Sequence, residues 1–252
     1  MFNLKKLSLF TFITALLVYP GFSIAEPIKH EVAYPDGAGP FPTVITLHTS
    51  GGYRLSIKFT ENFRSKVWTD AGYAVYALDF FDRHGLTPRT RMFTFSTYRE
   101  KIEKELSEIV ELAKNDPKVD GKNIFAVGFS NGGFWASFLA GTARINAGAS
   151  HYGVWKGNMG PEITNLYPMK YFSKTSSPVL ALHGEADGTQ KMRYVKQAWY
   201  EVKHSGAKLI THVYPGAGHA WDSKGKLFDA WDPEVKEDAF KRTLNFFKEN
   251  MR

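Results

Sequence analysis

The chain has 252 residues and no cysteine. That absence excludes disulfides, zinc–thiolate centres, haem–thioether links, a lipid-anchored N-terminal cysteine and thiol nucleophiles together. A covalent nucleophile, if there is one, has to be another side chain. No His-Glu-x-x-His pattern occurs, nor any linker, repeat or low-complexity stretch. The formal net charge is +7, yet no basic stripe interleaved with aromatics accompanies it. Lysines and arginines alternate with acids, as in Arg99-Glu100-Lys101-Ile102-Glu103-Lys104-Glu105, the pattern of a solvated helix face rather than a nucleic-acid surface.

The longest apolar run lies at the start, and it falls short of the roughly 20 residues that a membrane-spanning helix needs. Lys5 and Lys6 precede an apolar stretch over residues 7–18, Pro20 and Gly21 break it, and Ser23-Ile24-Ala25 supplies a small-x-small cleavage site. This pattern predicts a signal peptide over residues 1–25, removed on export to periplasm or medium, with a mature chain starting at Glu26 and no membrane attachment afterwards.

Beyond it, short and nearly continuous apolar runs at 43–48, 73–79, 123–129, 147–151, 178–183 and 208–214 read as strands buried on both faces. Helical periodicity separates them. The segment 96–115 carries Ile102, Leu106, Ile109, Val110 and Ala113 at spacings of three and four, with Ser96 as the expected N-cap and Asp116-Pro117 as the stop. A second helix is predicted over 190–204, and a third begins at Asp232-Pro233, an N-cap followed by proline at the first helical position. Alternating strands and helices predict one α/β domain over residues 26–252: a mostly parallel sheet with helices on both faces, and a ligand site at the carboxyl ends of the strands.

Most of the reactive side chains fall just after predicted strands. Gly128-Phe129-Ser130-Asn131-Gly132 is a Gly-x-Ser-x-Gly pentapeptide at a strand-to-helix junction, a nucleophile elbow that would lift the Ser130 hydroxyl clear of the sheet. A serine hydroxyl needs a base, and His219, after the small residues Gly216-Ala217-Gly218, is the best placed imidazole. The imidazole in turn needs an acceptor; Asp187 is chosen, with Glu185 and Asp222 as competing acids. Serine, acid and histidine then run in the chain order of an α/β-hydrolase. For the oxyanion, the predicted donors are the backbone N–H groups of Asn131 and Ser50, with Thr49 as the alternative to Ser50. His48 reads as structural. A metal site built from His151, His183 and Asp187 is conceivable, but no metal is assigned.

These residues resemble the dienelactone hydrolase family of α/β-hydrolases from about Ala33 to the C-terminal helix. The resemblance rests on the strand ending at His48, the elbow, Tyr152-Gly153, Leu182-His183-Gly184 leading to Asp187, and above all Tyr214-Pro215-Gly216-Ala217-Gly218-His219. It implies hydrolysis of an ester or lactone through an acyl-enzyme, without metal or organic cofactor. Three departures stand out. Ser130 occupies a position where dienelactone-opening enzymes typically carry cysteine, and the loop after His219 offers Trp221-Asp222 rather than an arginine, while Arg83 matches a family arginine and Thr49 replaces a glutamate. The expectation is a serine esterase for a small ester, with Phe81, Tyr152, Trp155 and Trp221 lining an aromatic cleft and Arg83 as an anion anchor. The alternatives are a carbohydrate-ester or polymer-ester hydrolase, and a non-catalytic binding protein on the same scaffold. The insertion over 153–177 is too short for a large lid.

Overall fold

The computed structural model describes residues 27–155, 168–225 and 230–252. The leading segment read as a signal peptide lies outside the described residues. Among the described residues no helix is long and apolar enough to cross a membrane.

Seven strands form one sheet: β1 (His30–Ala33), β2 (Phe41–Leu47), β3 (Ala74–Leu78), β4 (Val119–Phe129), β5 (Ala147–His151), β6 (Val179–Gly184) and β7 (Leu209–Tyr214), in the order β1-β3-β2-β4-β5-β6-β7. All neighbours are parallel except β1, which pairs antiparallel with β3 at the edge. The runs that read as strands in the sequence are those strands, within a few residues at their ends. β1 carries no such signal because it is four residues long and half polar, too short for a period to show.

Side chains alternate across the sheet, as the pleat requires. Along β4, Ile124 and Ala126 point into one core while Phe125, Val127 and Phe129 point into the other. The first core is closed by α3 (Arg99–Lys114), α4 (Asn131–Gly141) and α5 (Met192–His204); the second by α1 (Tyr53–Phe59), α2 (Ser65–Thr69) and α6 (Pro233–Glu249). α3 and α5 keep one apolar stripe and a charged outer face. α4 differs: every one of its residues is buried, because it lies directly beneath the nucleophile elbow between sheet and outer helices.

Two helix starts repay comparison. Asp232 caps α6 as expected, its carboxylate accepting from Glu234 and Val235 N–H. Ser96 does not cap α3. The residues before it form a 3-10 turn, Arg91–Phe95, that drives Phe95 against Phe134 and Trp135, so the helix starts three residues later, after Tyr98. Burial of one aromatic ring overrides the local cap.

Candidate active site

The strand order sets where the site forms. From β2 the chain passes to β3 on one side and then returns to β4 on the other. The loops leaving the carboxyl ends of β2 and β4 therefore diverge, and the crevice between them is the topological switch point where open α/β sheets bind ligands.

Ser130 follows β4 at that point, with φ 53° and ψ −109°, a left-handed conformation unusual for a residue with a Cβ. The turn is possible because its neighbours are glycines. A Cβ on Gly128 would stand 1.9 Å from the Gly132 carbonyl oxygen, and one on Gly132 would stand 2.1 Å from the Leu47 carbonyl oxygen. Ser130 is then held on both sides of its own peptide: its N–H donates to His151 C=O and its C=O accepts from Val154 N–H, each at 3.0 Å. It sits as the N-cap of α4, so the unpaired N–H groups and the positive end of the helix dipole face the region around its hydroxyl.

His219 arrives from the loop after β7. That loop is laced to the end of β6: Glu185 N–H donates to Tyr214 C=O and Ala186 N–H to Ala217 C=O, while a Cβ on Gly184 would meet the Ala217 carbonyl oxygen at 2.3 Å. The lacing brings His219 over Asp187. Its Nδ1–H donates to Asp187 Oδ2 at 2.7 Å, and its Nε2 accepts from the Ser130 hydroxyl at 2.9 Å. The sequence-predicted serine, acid and histidine thus form one hydrogen-bonded line. Glu185, a competing acid, points to solvent.

Asp187 is almost wholly buried, and burial alone would raise its pKa. Hydrogen bonds outweigh that. Oδ1 accepts from Thr189 and Gln190 N–H, both at 2.8 Å, and Oδ2 receives His183 as well as His219, so the carboxyl is held well below the ordinary carboxylate range. His183 is the contributor that sequence reasoning missed. Its Nε2 lies 2.8 Å from Gln190 C=O and 3.2 Å from Asp187 Oδ2, two acceptors that put the proton on Nε2, while its Nδ1 has no partner among the described residues. The four-residue spacing from Asp187 was visible, but only the turn after β6 folds the one residue back on the other.

The loop after β2 distinguishes Thr49 from Ser50. The Thr49 N–H is engaged by Ser56 Oγ at 3.1 Å, and the Thr49 hydroxyl accepts from Gly51 N–H. Gly52, Gly132 and Gly133 donate to Thr49, His48 and Ser130 carbonyls. The N–H groups of Ser50 and Asn131 have no acceptor among the described residues, and the Asn131 amide reaches the Ser50 hydroxyl at 3.4 Å, joining the two loops. His48 stacks on Phe80 and donates from Nδ1 to Thr49 C=O, which shapes the loop from below.

The five side chains expected to line the cleft have the following surroundings in the structure. Arg83 is committed to α3: Nη1 donates to Glu108 at 2.7 Å and Nε lies 3.8 Å from Glu105, so its charge is already neutralised. Phe81 packs edge-on against His48 and beneath Gly52. Trp155 is buried against Trp199, and Trp221 is buried among Tyr152, Tyr214 and His151. Tyr152 is also fully buried, its hydroxyl donating to Asp222 at 2.6 Å. Apolar burial holds these four aromatic rings in the interior of the protein. His151 is buried too. Its Nε2–H donates to Thr243, and burial pushes its pKa down to about 3, which keeps it neutral.

A parallel sheet with one antiparallel edge strand, helices on both faces and a serine on a glycine-walled elbow define an α/β-hydrolase fold. The comparisons with known proteins narrow this. The profile of the dienelactone hydrolase family matches residues 28–251, and the chain belongs to that family. It is 25% identical over 226 residues to the "Putative carboxymethylenebutenolidase" of Methylorubrum extorquens, covering 86% of this chain and 75% of that one. It is also 26% identical over 212 residues to the "Uncharacterized peptidase YuxL" of Bacillus subtilis, covering 74% of this chain but only 32% of that protein; the chain thus spans about a third of that relative's length. Among solved structures, the "Putative Dienelactone Hydrolase" from Klebsiella pneumoniae superposes with a TM-score of 0.72 at 21% identity, over 87% of this chain and 92% of that one, a likeness of fold.

Proposed function

We propose that this protein hydrolyses a small carboxylic ester or lactone through an acyl-enzyme on Ser130. The observation that carries the reading is the line Ser130 Oγ–His219 Nε2–Asp187, at 2.9 and 2.7 Å. His219 Nε2 takes the hydroxyl proton as Ser130 Oγ bonds to the ester carbonyl carbon, and the imidazolium is held by the ionised Asp187. The negative charge that develops on the carbonyl oxygen meets the N–H groups of Asn131 at the α4 N-terminus and of Ser50 on the loop after β2; removing one such donor typically costs about 3 kcal/mol of barrier. His219 returns its proton to the leaving alkoxide as the C–O bond breaks. Water, deprotonated by the same imidazole, then attacks the acyl-enzyme, and Ser130 Oγ regains the proton as the acid leaves.

The reading involves no cofactor, and its partner is the small ester itself. With Arg83 tied to Glu108 and Glu105, a neutral acyl group suits the site better than an anionic one. Export belongs to the same proposal and is supported by the leading segment of the sequence. N-terminal sequencing of protein recovered from a cell fraction is expected to begin at Glu26.

The experiment is intact-mass analysis after exposure to a fluorophosphonate, with Ser130→Ala and His219→Ala alongside. One adduct is expected on the parent and none on either variant. An unmodified parent, or an adduct that persists in Ser130→Ala, would overturn the assignment. An ester panel of aryl acetates, lactones and acetylated sugars then sets the substrate class, and ligand-induced stabilisation without product would favour the non-catalytic scaffold.

A further inference from the structure

Packed against the His219 ring lies a tyrosine–aspartate pair, Tyr152 and Asp222, for which the proposed chemistry has no use. Tyr152 is fully buried, and its ring meets the His219 imidazole at 5.0 Å between centroids with the planes at 67°. Its backbone is in the left-handed region, φ 38°, although it is not a glycine. Ala220, directly after His219, has φ 65°. Two non-glycine residues held in sparsely populated conformations on either side of one imidazole indicate that the surroundings dictate both backbones.

The connections of Tyr152 run to the serine elbow, to β6 and to the loop that carries His219. It stands between His151, whose C=O accepts from Ser130 N–H, and the pair Gly153-Val154, whose Val154 N–H donates to Ser130 C=O. Its own N–H donates to Leu182 C=O on β6, the strand that leads to Asp187. Its hydroxyl donates to Asp222 Oδ1 at 2.6 Å, three residues beyond His219. Asp222 is itself anchored: its C=O accepts from Glu61 N–H, and the Thr60 and Ser223 hydroxyls lie beside the phenol. One side chain therefore spans the serine elbow, the imidazole and the loop that carries the imidazole.

We propose that Tyr152, through its hydrogen bond to Asp222, is a positioning residue that fixes the imidazole of His219 in the rotamer facing Ser130. This deepens the hydrolase reading and rests on it. In the Tyr152–Asp222 pair the ring blocks the imidazole from swinging away from Ser130, and the hydroxyl stops the loop over 219–222 from carrying the imidazole with it. The role replaces the substrate contact that the sequence suggested for Tyr152. Asp222 lies only three residues beyond His219, and that nearness is what makes it an anchor.

The test compares Tyr152→Phe, which keeps the ring and removes the hydroxyl, with Asp222→Ala and Asp222→Asn, the last retaining an acceptor for the phenol. Hydrolysis of an aryl acetate by the first two is expected to show kcat lowered about tenfold with KM within about twofold, while Asp222→Asn stays within about threefold of the parent. Parent-like kcat in Tyr152→Phe overturns the proposal, as does a raised KM at unchanged kcat, which would return Tyr152 to substrate contact. Equal loss in Asp222→Asn and Asp222→Ala also overturns it, since charge rather than the hydrogen bond would then be acting. A readout independent of turnover is the low-field proton resonance of His219 Nδ1–H bonded to Asp187, expected to broaden or vanish in Tyr152→Phe at unchanged melting temperature. A sharp, unshifted resonance overturns the proposal. A parent that neither labels nor hydrolyses would sink the hydrolase reading alone, because the resonance still decides the role of Tyr152.

Discussion

His219 is bracketed by two aspartates, Asp187 on the loop after β6 and Asp222 on the loop after β7. Both are buried almost completely, and both are attached to the same imidazole, one directly and one through Tyr152. Their acidities nevertheless move in opposite directions. Burial raises both, but Asp187 receives two imidazoles and two backbone N–H groups and ends below the ordinary range. Asp222 has the Tyr152 hydroxyl on Oδ1 and, among the described residues, no partner on Oδ2, and burial pushes it up to about 7. Equal burial with unequal donors gives one carboxylate fit to stabilise an imidazolium and one that is neutral through most of the acid range. The difference explains why only one of them suits the role of orienting acid.

That contrast can be broken most severely at Asp187. Asp187→Asn is expected to lower kcat for an aryl ester by about 10⁴ with KM little changed, because an amide cannot hold the Nδ1–H tautomer or the imidazolium. Steady-state kinetics decide it, and a loss under about tenfold would transfer the orienting role to another acid.

The next effect concerns Asp222 and stability rather than rate. In the unfolded chain this carboxyl ionises near its ordinary 3.8, and in the folded chain near 7. Between those values the folded protein keeps a proton that the unfolded chain releases, so its contribution to stability falls as pH rises through the interval. Asp222→Asn should remove that decline, which amounts to roughly 1 kcal/mol per pH unit. Urea melts of parent and variant across the interval measure it; parallel curves would show that Asp222 ionises normally.

Asp187 has the opposite sign. Its stabilisation is present above the unfolded value and is lost as pH falls below it, toward the lower folded value. His183→Leu removes one donor with little change in volume and should cost about 1–2 kcal/mol at neutral pH while softening the acid limb. The smallest change is expected from Ser56→Ala. It frees the Thr49 N–H without touching Ser50, and kcat should alter by less than about threefold; a larger loss would bring the Thr49 peptide into oxyanion binding.

Much of this site was legible in one dimension because the chemistry demands particular residue types at strand ends. Gly-x-Ser-x-Gly names Ser130 because the elbow tolerates nothing larger than glycine at 128 and 132, and the small residues before His219 announce a loop that can fold back over the sheet. The burial of the aromatic residues was not legible. Phe81, Trp155 and Trp221 follow strands just as the reactive residues do, and one-dimensional spacing carries no information on whether a ring after a strand turns toward the crevice or under it. The ion pairing of Arg83 was hidden for a related reason, since its partners Glu105 and Glu108 sit on α3, more than 20 positions away.

The amino-acid sequence by itself determined the alternation of strand and helix, the family, and which serine, acid and histidine could act together, because periodicity and the steric demands of tight turns are local properties. Only the tertiary structure decided which buried acid is ionised, which N–H groups remain free for an oxyanion, and which aromatics support the site from behind. Those outcomes depend on how many donors converge on one atom from distant segments, and that number exists only once the β6 and β7 loops have folded against the elbow.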